Sequence, residues 1–257
     1  MYFRIIPRLD IKGDNLVKGI HLEGLRVLGK PEAFAKHYYE DGADELMFQD
    51  VVASLYQRNS LHDVISRTAS EIFIPLTVGG GIRTIEDIKD VLRAGADKVA
   101  INTAAVKNPK LISEAANIYG SSTIVVTIEA IKQANGEYLA FTDNGREQTG
   151  LEVISWAKKV EKLGAGEIII TSVDREGTGL GLDLNLIEMV SKSVSVPVIA
   201  HGGVKTVEDV GKGFESSCDA IAIASAFHYS YLGKENYEMS IKNTKQGLNK
   251  QGIIVRI

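Results

Sequence analysis

Residues 74–105 read IPLTVGGGIRTIEDIKDVLRAGADKVAINTAA: a short apolar run, a glycine triplet, a helical stretch and a second apolar run. Slid along the chain without gaps, this segment meets residues 196–227, VPVIAHGGVKTVEDVGKGFESSCDAIAIASAF. Pro75 falls on Pro197, Gly80–Gly81 on Gly202–Gly203, Thr84 on Thr206, Glu86–Asp87 on Glu208–Asp209 and Asp97 on Asp219. The same offset of 122 carries Gly42–Ala43–x–Glu45 onto Gly164–Ala165–x–Glu167. Gly-Ala-Asp-like turns recur in any strand–helix protein. A constant ungapped offset over two separate stretches instead marks an internal repeat.

Working outward, short β-branched runs alternate with longer helical patterns along the whole chain. The strand candidates are 4–10, 45–50, 74–80, 98–102, 123–129, 167–172, 196–203 and 220–225. They are continuous apolar runs rather than strict alternations, as buried parallel strands are. Helical stretches follow at 31–41, 58–71, 84–94, 109–118, 150–163, 183–193, 206–216 and 237–249. Eight strand–helix units in 257 residues predict one α/β domain over 1–257, a (β/α)8 TIM barrel built from two (βα)4 half-barrels. A doubly wound open sheet is the alternative. It would carry an early glycine-rich dinucleotide loop, where the first strand instead ends in Asp10.

Composition sets the outer limits. The chain is 44% hydrophobic and 24% charged, which excludes disordered, collagen-like and coiled-coil classes. A net charge of −4 gives no nucleic-acid footprint. The single cysteine, Cys218, forms no intramolecular disulfide, and no Cys/His cluster has zinc spacing. No apolar run reaches a membrane span. The opening MYFRIIPRLD has arginines inside its apolar stretch and so is not a signal peptide. A reducing cytoplasm is the expected location.

Two connections are long, 11–30 and 130–149. The second contains Asn135-Gly136 and Asn144-Gly145 around YLAFT, which predicts a small hairpin. Both leave the C-terminal ends of strands, where this fold places its catalytic face, and loops of this length are usually lids.

Three constellations carry chemistry. Gly79-Gly80-Gly81 and His201-Gly202-Gly203 each expose backbone N–H groups before a helix, an anion site in waiting. Asn102-Thr103 and Ala224-Ser225 stand beside them. Two such nests across one mouth point to a substrate with a phosphate at each end; the bland alternative is tight turns. Asp10 and Glu129 end the first and fifth strands, half a barrel apart, as candidate general acid and base. Alternatively each caps a backbone or holds a lysine. Lys18, in the first long loop, either closes over the substrate or is a surface lysine. Lastly, Arg4, Glu45, Lys98 and Glu167 start strands that are otherwise apolar. Buried charges persist when paired, so these form either a structural salt-bridge layer or a gate on the barrel axis.

The stretches RLDIKGDNLVKG, DEL-F-D--AS, TVGGGI, GADKVAINTAA, GAGEI--TSVDREGT and A-GG resemble the cyclase subunit of imidazole glycerol phosphate synthase, over essentially the whole chain. The resemblance implies a lyase-type enzyme of histidine biosynthesis. Ammonia from a glutaminase partner at the N-terminal face of the barrel attacks a bisphosphorylated aminoimidazole-carboxamide precursor. The products are imidazole glycerol phosphate and aminoimidazole carboxamide ribotide. It implies no metal and no organic cofactor. It assigns catalysis to Asp10 and Glu129, and substrate or phosphate binding to Lys18, Gly80, Gly81, Asn102, Thr103, Thr171, Glu176, His201, Gly202, Gly203, Ala224 and Ser225. It makes Arg4, Glu45, Lys98 and Glu167 an ammonia gate and Asp97 a docking residue for the glutaminase.

Four positions depart from the family pattern. Glu129 and Glu176 replace aspartates, His201 replaces a small serine, and Arg8 replaces a cysteine. An added methylene moves a carboxylate by about 1.3 Å, and misplacement by ~1 Å costs on the order of a hundredfold in rate. The changes resemble a second branch of the family, which passes ammonia to a sugar amidotransferase of surface-polysaccharide synthesis without cyclising. That branch is the alternative function. A phosphate-binding pseudoenzyme and the sister isomerase of histidine synthesis fit less well, because neither has a use for the four-charge ring.

Overall fold

The computed structural model describes residues 2–52 and 62–256. The repeat-derived barrel is present. Strands β1 (Arg4–Lys12), β4 (Leu46–Asp50), β5 (Leu76–Gly79), β6 (Lys98–Ile101), β7 (Ile124–Lys132), β10 (Glu167–Ser172), β11 (Val198–His201) and β12 (Ala220–Ile223) pair in that order, all parallel. β12 returns to β1 with Arg4 opposite Ala220, and β7 meets β10 with Glu167 opposite Val125, so the eight strands close into a barrel.

The described helices that surround it are α1 (Pro31–Glu40), α2 (His62–Ala69), α3 (Ile85–Arg93), α4 (Thr103–Lys107), α5 (Lys110–Tyr119), α6 (Val153–Lys162), α7 (Leu184–Ser191), α8 (Val207–Glu215), α9 (Ser225–Tyr231) and α10 (Ile241–Lys250). The first part of the helical stretch 58–71, and Ala53 and Ser54 of the second motif, lie outside the described residues.

The two halves repeat the same local hydrogen bonds. Thr84 and Thr206 each form a capping box, with Asp87 and Asp209, which satisfies the first N–H groups of α3 and α8. The carboxylates of Asp97 and Asp219 each accept a backbone N–H, from Leu76 and Val198, both at 2.8 Å. Inside the barrel, Ile6, Met47, Val125, Ile169 and Ile199 form a packed apolar layer with small alanines. Residues two positions before and after that layer on the same strands also face inward. Charges therefore sit below it, at Arg4, and above it, at Arg8, Asp10 and Glu129.

The long connections correct the sequence expectation. Residues 11–30 are not a loop. β1 runs on to Lys12, and β2 (Asn15–Ile20) and β3 (Glu23–Gly29) form a hairpin paired to it, with Asp10 opposite Val17. The second connection holds the expected hairpin and more, since β8 (Tyr138–Thr142) pairs with both β7 and β9 (Glu147–Glu152). β9 occupies the expected start of the 150–163 helix, which begins at Val153 with the Glu152 side chain accepting the Ile154 and Ser155 N–H groups. The last helix starts at Ile241 rather than 237, and α9, unanticipated, starts directly after β12. Each half thus has one strand extended by a two-stranded flap over the mouth.

Candidate active site

Each flap leans toward the other half of the barrel. The β2–β3 turn places His21 and Leu22 at φ 54° and 62°. Tertiary bonds hold this left-handed turn: His21 N to Glu176 O at 3.0 Å, and Leu22 N to Glu176 Oε2 at 2.8 Å. The β8–β9 turn, Asp143-Asn144-Gly145, is tied across the mouth by Asn144 Nδ2 to Val51 O at 2.6 Å.

Beneath the first flap lies a cluster of buried charges. Lys18 is 1% exposed, so the surface-lysine alternative is overturned. Its ammonium group pairs with the equally buried Glu176, lies 3.9 Å from Asp10 Oδ2, and donates to Gly19 O. Asp10 accepts from Arg8 Nε at 2.9 Å. Burial alone would raise the Asp10 carboxyl, but the positive charges of Arg8 and Lys18 more than reverse that and hold it below the usual range.

Glu129 is treated differently. Its Oε2 accepts the Gly145 N–H at 2.8 Å, from the turn of the second flap. Burial pushes its carboxyl up to about 7, against the pull of that N–H and of the more distant Arg8 charge. The two carboxyls of the mouth therefore differ in protonation at neutral pH. Such a split is how environment assigns acid and base roles.

The sequence-derived residues do not all share one open space. A cavity of about 390 Å³ is lined by Glu129, Gly80, Gly81, Asn102 and Thr103, the nest of the N-terminal half. Asp10, Lys18, Glu176, His201, Gly202, Gly203, Ala224 and Ser225 do not line it. Lys18 belongs to the first flap and Glu176 to the 173–181 segment, which also meets the second glycine run where Gly203 O accepts the Gly181 N–H at 2.8 Å. Thr171 is fully buried below them, 3.3 Å from His201 Nδ1. The nests match in backbone form: Asn102 and Ala224 precede α4 and α9 at φ/ψ of −127°/−82° and −113°/−85°. The glycines also serve the fold. At Gly80 (φ 95°) a Cβ would stand 2.2 Å from Asp50 O, and at Gly202 (φ 109°) 2.7 Å from Ser172 O.

Thr127 and Asp143, which the sequence does not single out, line the cavity, as does Arg8, which it marks only as a departure from the family pattern. For Arg8 and Thr127 the signal was register: they stand two residues before Asp10 and Glu129, on the same inward face.

At the opposite end, the four early charges close into a ring. Arg4 Nη1 donates to Glu45 at 2.6 Å and Glu167 at 2.7 Å, and Lys98 Nζ donates to the same two at 3.1 and 2.9 Å. Burial would lower the Arg4 guanidinium, but the two carboxylates more than offset that and raise it. Asp97 lies exposed at this lower rim, one oxygen engaged by Leu76 N. Among the described residues, no group of three or more His, Cys, Asp or Glu is placed to hold a metal ion. No described helix is long and apolar enough to cross a membrane.

Comparison with known proteins gives the family of the chain. The family described as "Histidine biosynthesis protein" matches residues 4–232. The imidazole glycerol phosphate synthase subunit HisF of Legionella pneumophila is 57% identical over 206 residues, covering 80% of this chain and 97% of the relative. The subunit of the same name from Alkaliphilus metalliredigens is 45% identical over 254 residues, 98% of each chain. That of Clostridium botulinum (strain Okra / Type B1) is 47% identical over 256 residues, 99% of this chain and 98% of the relative. With its closed barrel, duplicated nests and near-full-length matches, the chain belongs to the histidine biosynthesis protein family, among the HisF subunits of imidazole glycerol phosphate synthase.

Proposed function

We propose that this chain is the cyclase subunit of imidazole glycerol phosphate synthase. In this reading, ammonia from a glutaminase converts the bisphosphorylated precursor into imidazole glycerol phosphate and aminoimidazole carboxamide ribotide. The observation that carries the reading is the split between Asp10, held ionised by Arg8 and Lys18, and Glu129, pushed up to about 7. Addition of ammonia to a carbonyl needs a group that takes a proton from the incoming nitrogen. Loss of water needs one that gives a proton to the departing oxygen. Asp10 fits the first role and Glu129 the second.

The cavity against Gly80, Gly81, Asn102 and Thr103 takes one phosphate of the substrate. The matching nest of Gly202, Gly203 and Ser225 takes the other, after the first flap lifts. Lys18 then exchanges Glu176 for substrate, and Thr171 and His201 line the floor. Ammonia enters from below. The ring of Arg4, Glu45, Lys98 and Glu167 closes the axis at that end, so one ion pair parts for passage. The exposed Tyr2, Phe73 and Ile254, at 60%, 81% and 64%, give the lower rim an apolar surface for the glutaminase, with Asp97 beside it.

The test is turnover of the precursor by the purified chain with excess ammonium salt and no glutaminase. Release of the carboxamide ribotide, abolished in Asp10→Asn, is the expected result. Binding of the precursor without turnover would overturn the cyclase reading in favour of ammonia delivery to a sugar amidotransferase.

A further inference from the structure

Two departures from the family pattern, Arg8 and His201, meet in the mouth. Arg8 is 2% exposed and stands two residues before Asp10 on β1, on the same inward face. Its Nε donates to Asp10 Oδ1 at 2.9 Å, and its Nη1 lies 3.3 Å from Nδ1 of His201 on β11. A guanidinium has no acceptor. His201 Nδ1 therefore accepts, and the imidazole proton sits on Nε2. Burial, then the charges of Arg8 and Lys18, push His201 well below its ordinary range, so the acceptor stays neutral. The Arg8 side chain also lines the cavity that Glu129 lines from the opposite strand.

We propose that Arg8, braced on His201, is a positioning residue that keeps the Asp10 carboxylate ionised and aimed into the mouth. The inference rests on the cyclase reading of Asp10. The groups facing Asp10 are Arg8 from its own strand, Lys18 from β2 with Glu176 behind it, and His228 from α9. His228 is pushed down to about 3, chiefly by burial, and adds no charge at neutral pH. Lys18 is 3.9 Å away and shares its charge with Glu176. Arg8 alone among these holds Asp10 by a short directed hydrogen bond. The departures at positions 8 and 201 thus form one unit, each side chain supplying what the other needs.

The experiment is a carbon-13 carboxyl titration of Asp10 in the full chain, assigned by its loss in Asp10→Asn. It is run alongside pH profiles of kcat/KM for the precursor. In Arg8→Met the Asp10 titration moves up by roughly one pH unit or more, and the ascending limb of kcat/KM moves with it. Arg8→Lys restores most of both. His201→Asn, whose amide oxygen takes the place of Nδ1, stays near the parent, while His201→Phe shifts in the direction of Arg8→Met. An Asp10 titration unmoved in Arg8→Met overturns the inference; if that variant does not fold, one unmoved in His201→Phe does so. The titration needs no turnover, so a parent protein that fails to cyclise removes the functional reading and leaves this measurement to decide Arg8 separately.

Discussion

At the lower end of the barrel each cation meets two carboxylates, Arg4 and Lys98 against Glu45 and Glu167, at 2.6–3.1 Å. At the upper end Arg8 and Lys18 face three carboxyls, Asp10, Glu176 and Glu129, and pair closely with only two. The lower set is balanced, and every charge has its partners. In the upper set Glu129 has no described cation in salt-bridge contact, and its burial places its proton near neutrality. One barrel therefore uses buried charge in two ways. A closed ring stores no reactivity, while a buried carboxyl outside the ion pairs is poised to give and take a proton.

The sharpest break in this comparison is Asp10→Asn. It removes the ionised member of the upper pair and is expected to lower turnover by about two to four orders of magnitude, read as release of the carboxamide ribotide. Glu129→Gln follows, with a loss on the order of a hundredfold and an opposite effect on stability. Glu129 binds its proton more tightly folded than unfolded. The stability this confers is full below its ordinary value and is lost as pH rises through about 7. Replacing it with Gln is therefore expected to stabilise the unliganded chain by on the order of 3 kcal/mol at pH 8, and by almost nothing at pH 4, in urea titrations. Equal stability of the two proteins at pH 8 would break the claim that burial strains Glu129.

The lower ring should respond in stability and supply rather than in chemistry. Glu167→Gln leaves Arg4 and Lys98 sharing Glu45 and costs about 2 kcal/mol. Turnover with free ammonium stays within about twofold, while glutamine-driven turnover with a glutaminase present changes by more. The smallest effect is a matched pair. Asp97→Ala and Asp219→Ala each lose one charge-assisted bond to a strand N–H, for about 1.5 kcal/mol. The repeat makes the two losses equal in urea titrations. Only Asp97→Ala is expected to weaken association with the glutaminase, measured by titration calorimetry.

Much of this architecture is legible in the sequence, for a physical reason. Strands buried on both faces leave continuous apolar runs, and the repeat aligns them, so the eight barrel strands can be read directly. Charges inside such runs have to be paired, which is why Arg4, Glu45, Lys98 and Glu167 stand out. The first flap is not legible. Its turn places His21 and Leu22 in left-handed conformations that local sequence signals assign to Asn or Gly, and it is held by bonds to Glu176, 154 and 155 positions away in the chain. The second flap announces itself through Asn144-Gly145, where the glycine supplies its own left-handed residue at φ 78°. Thr127 is missed, and Arg8 stands out only as a departure without a role, because an inward register assigns a face and not a task. The unequal protonation of Asp10 and Glu129 depends on which cations reach each carboxyl. That is a property of the closed barrel and of no local stretch.

The central claim is that Asp10 works ionised and Glu129 works protonated. The measurement that meets it most directly is the pH dependence of kcat/KM for the precursor with ammonium salt, corrected for free ammonia, in the parent chain and in Glu129→Gln. The account predicts a parent profile that falls as pH rises through about 7, the value at which Glu129 loses its proton, and a residual Glu129→Gln activity without that limb. A parent profile flat to pH 9, or a limb that survives in Glu129→Gln, would contradict it.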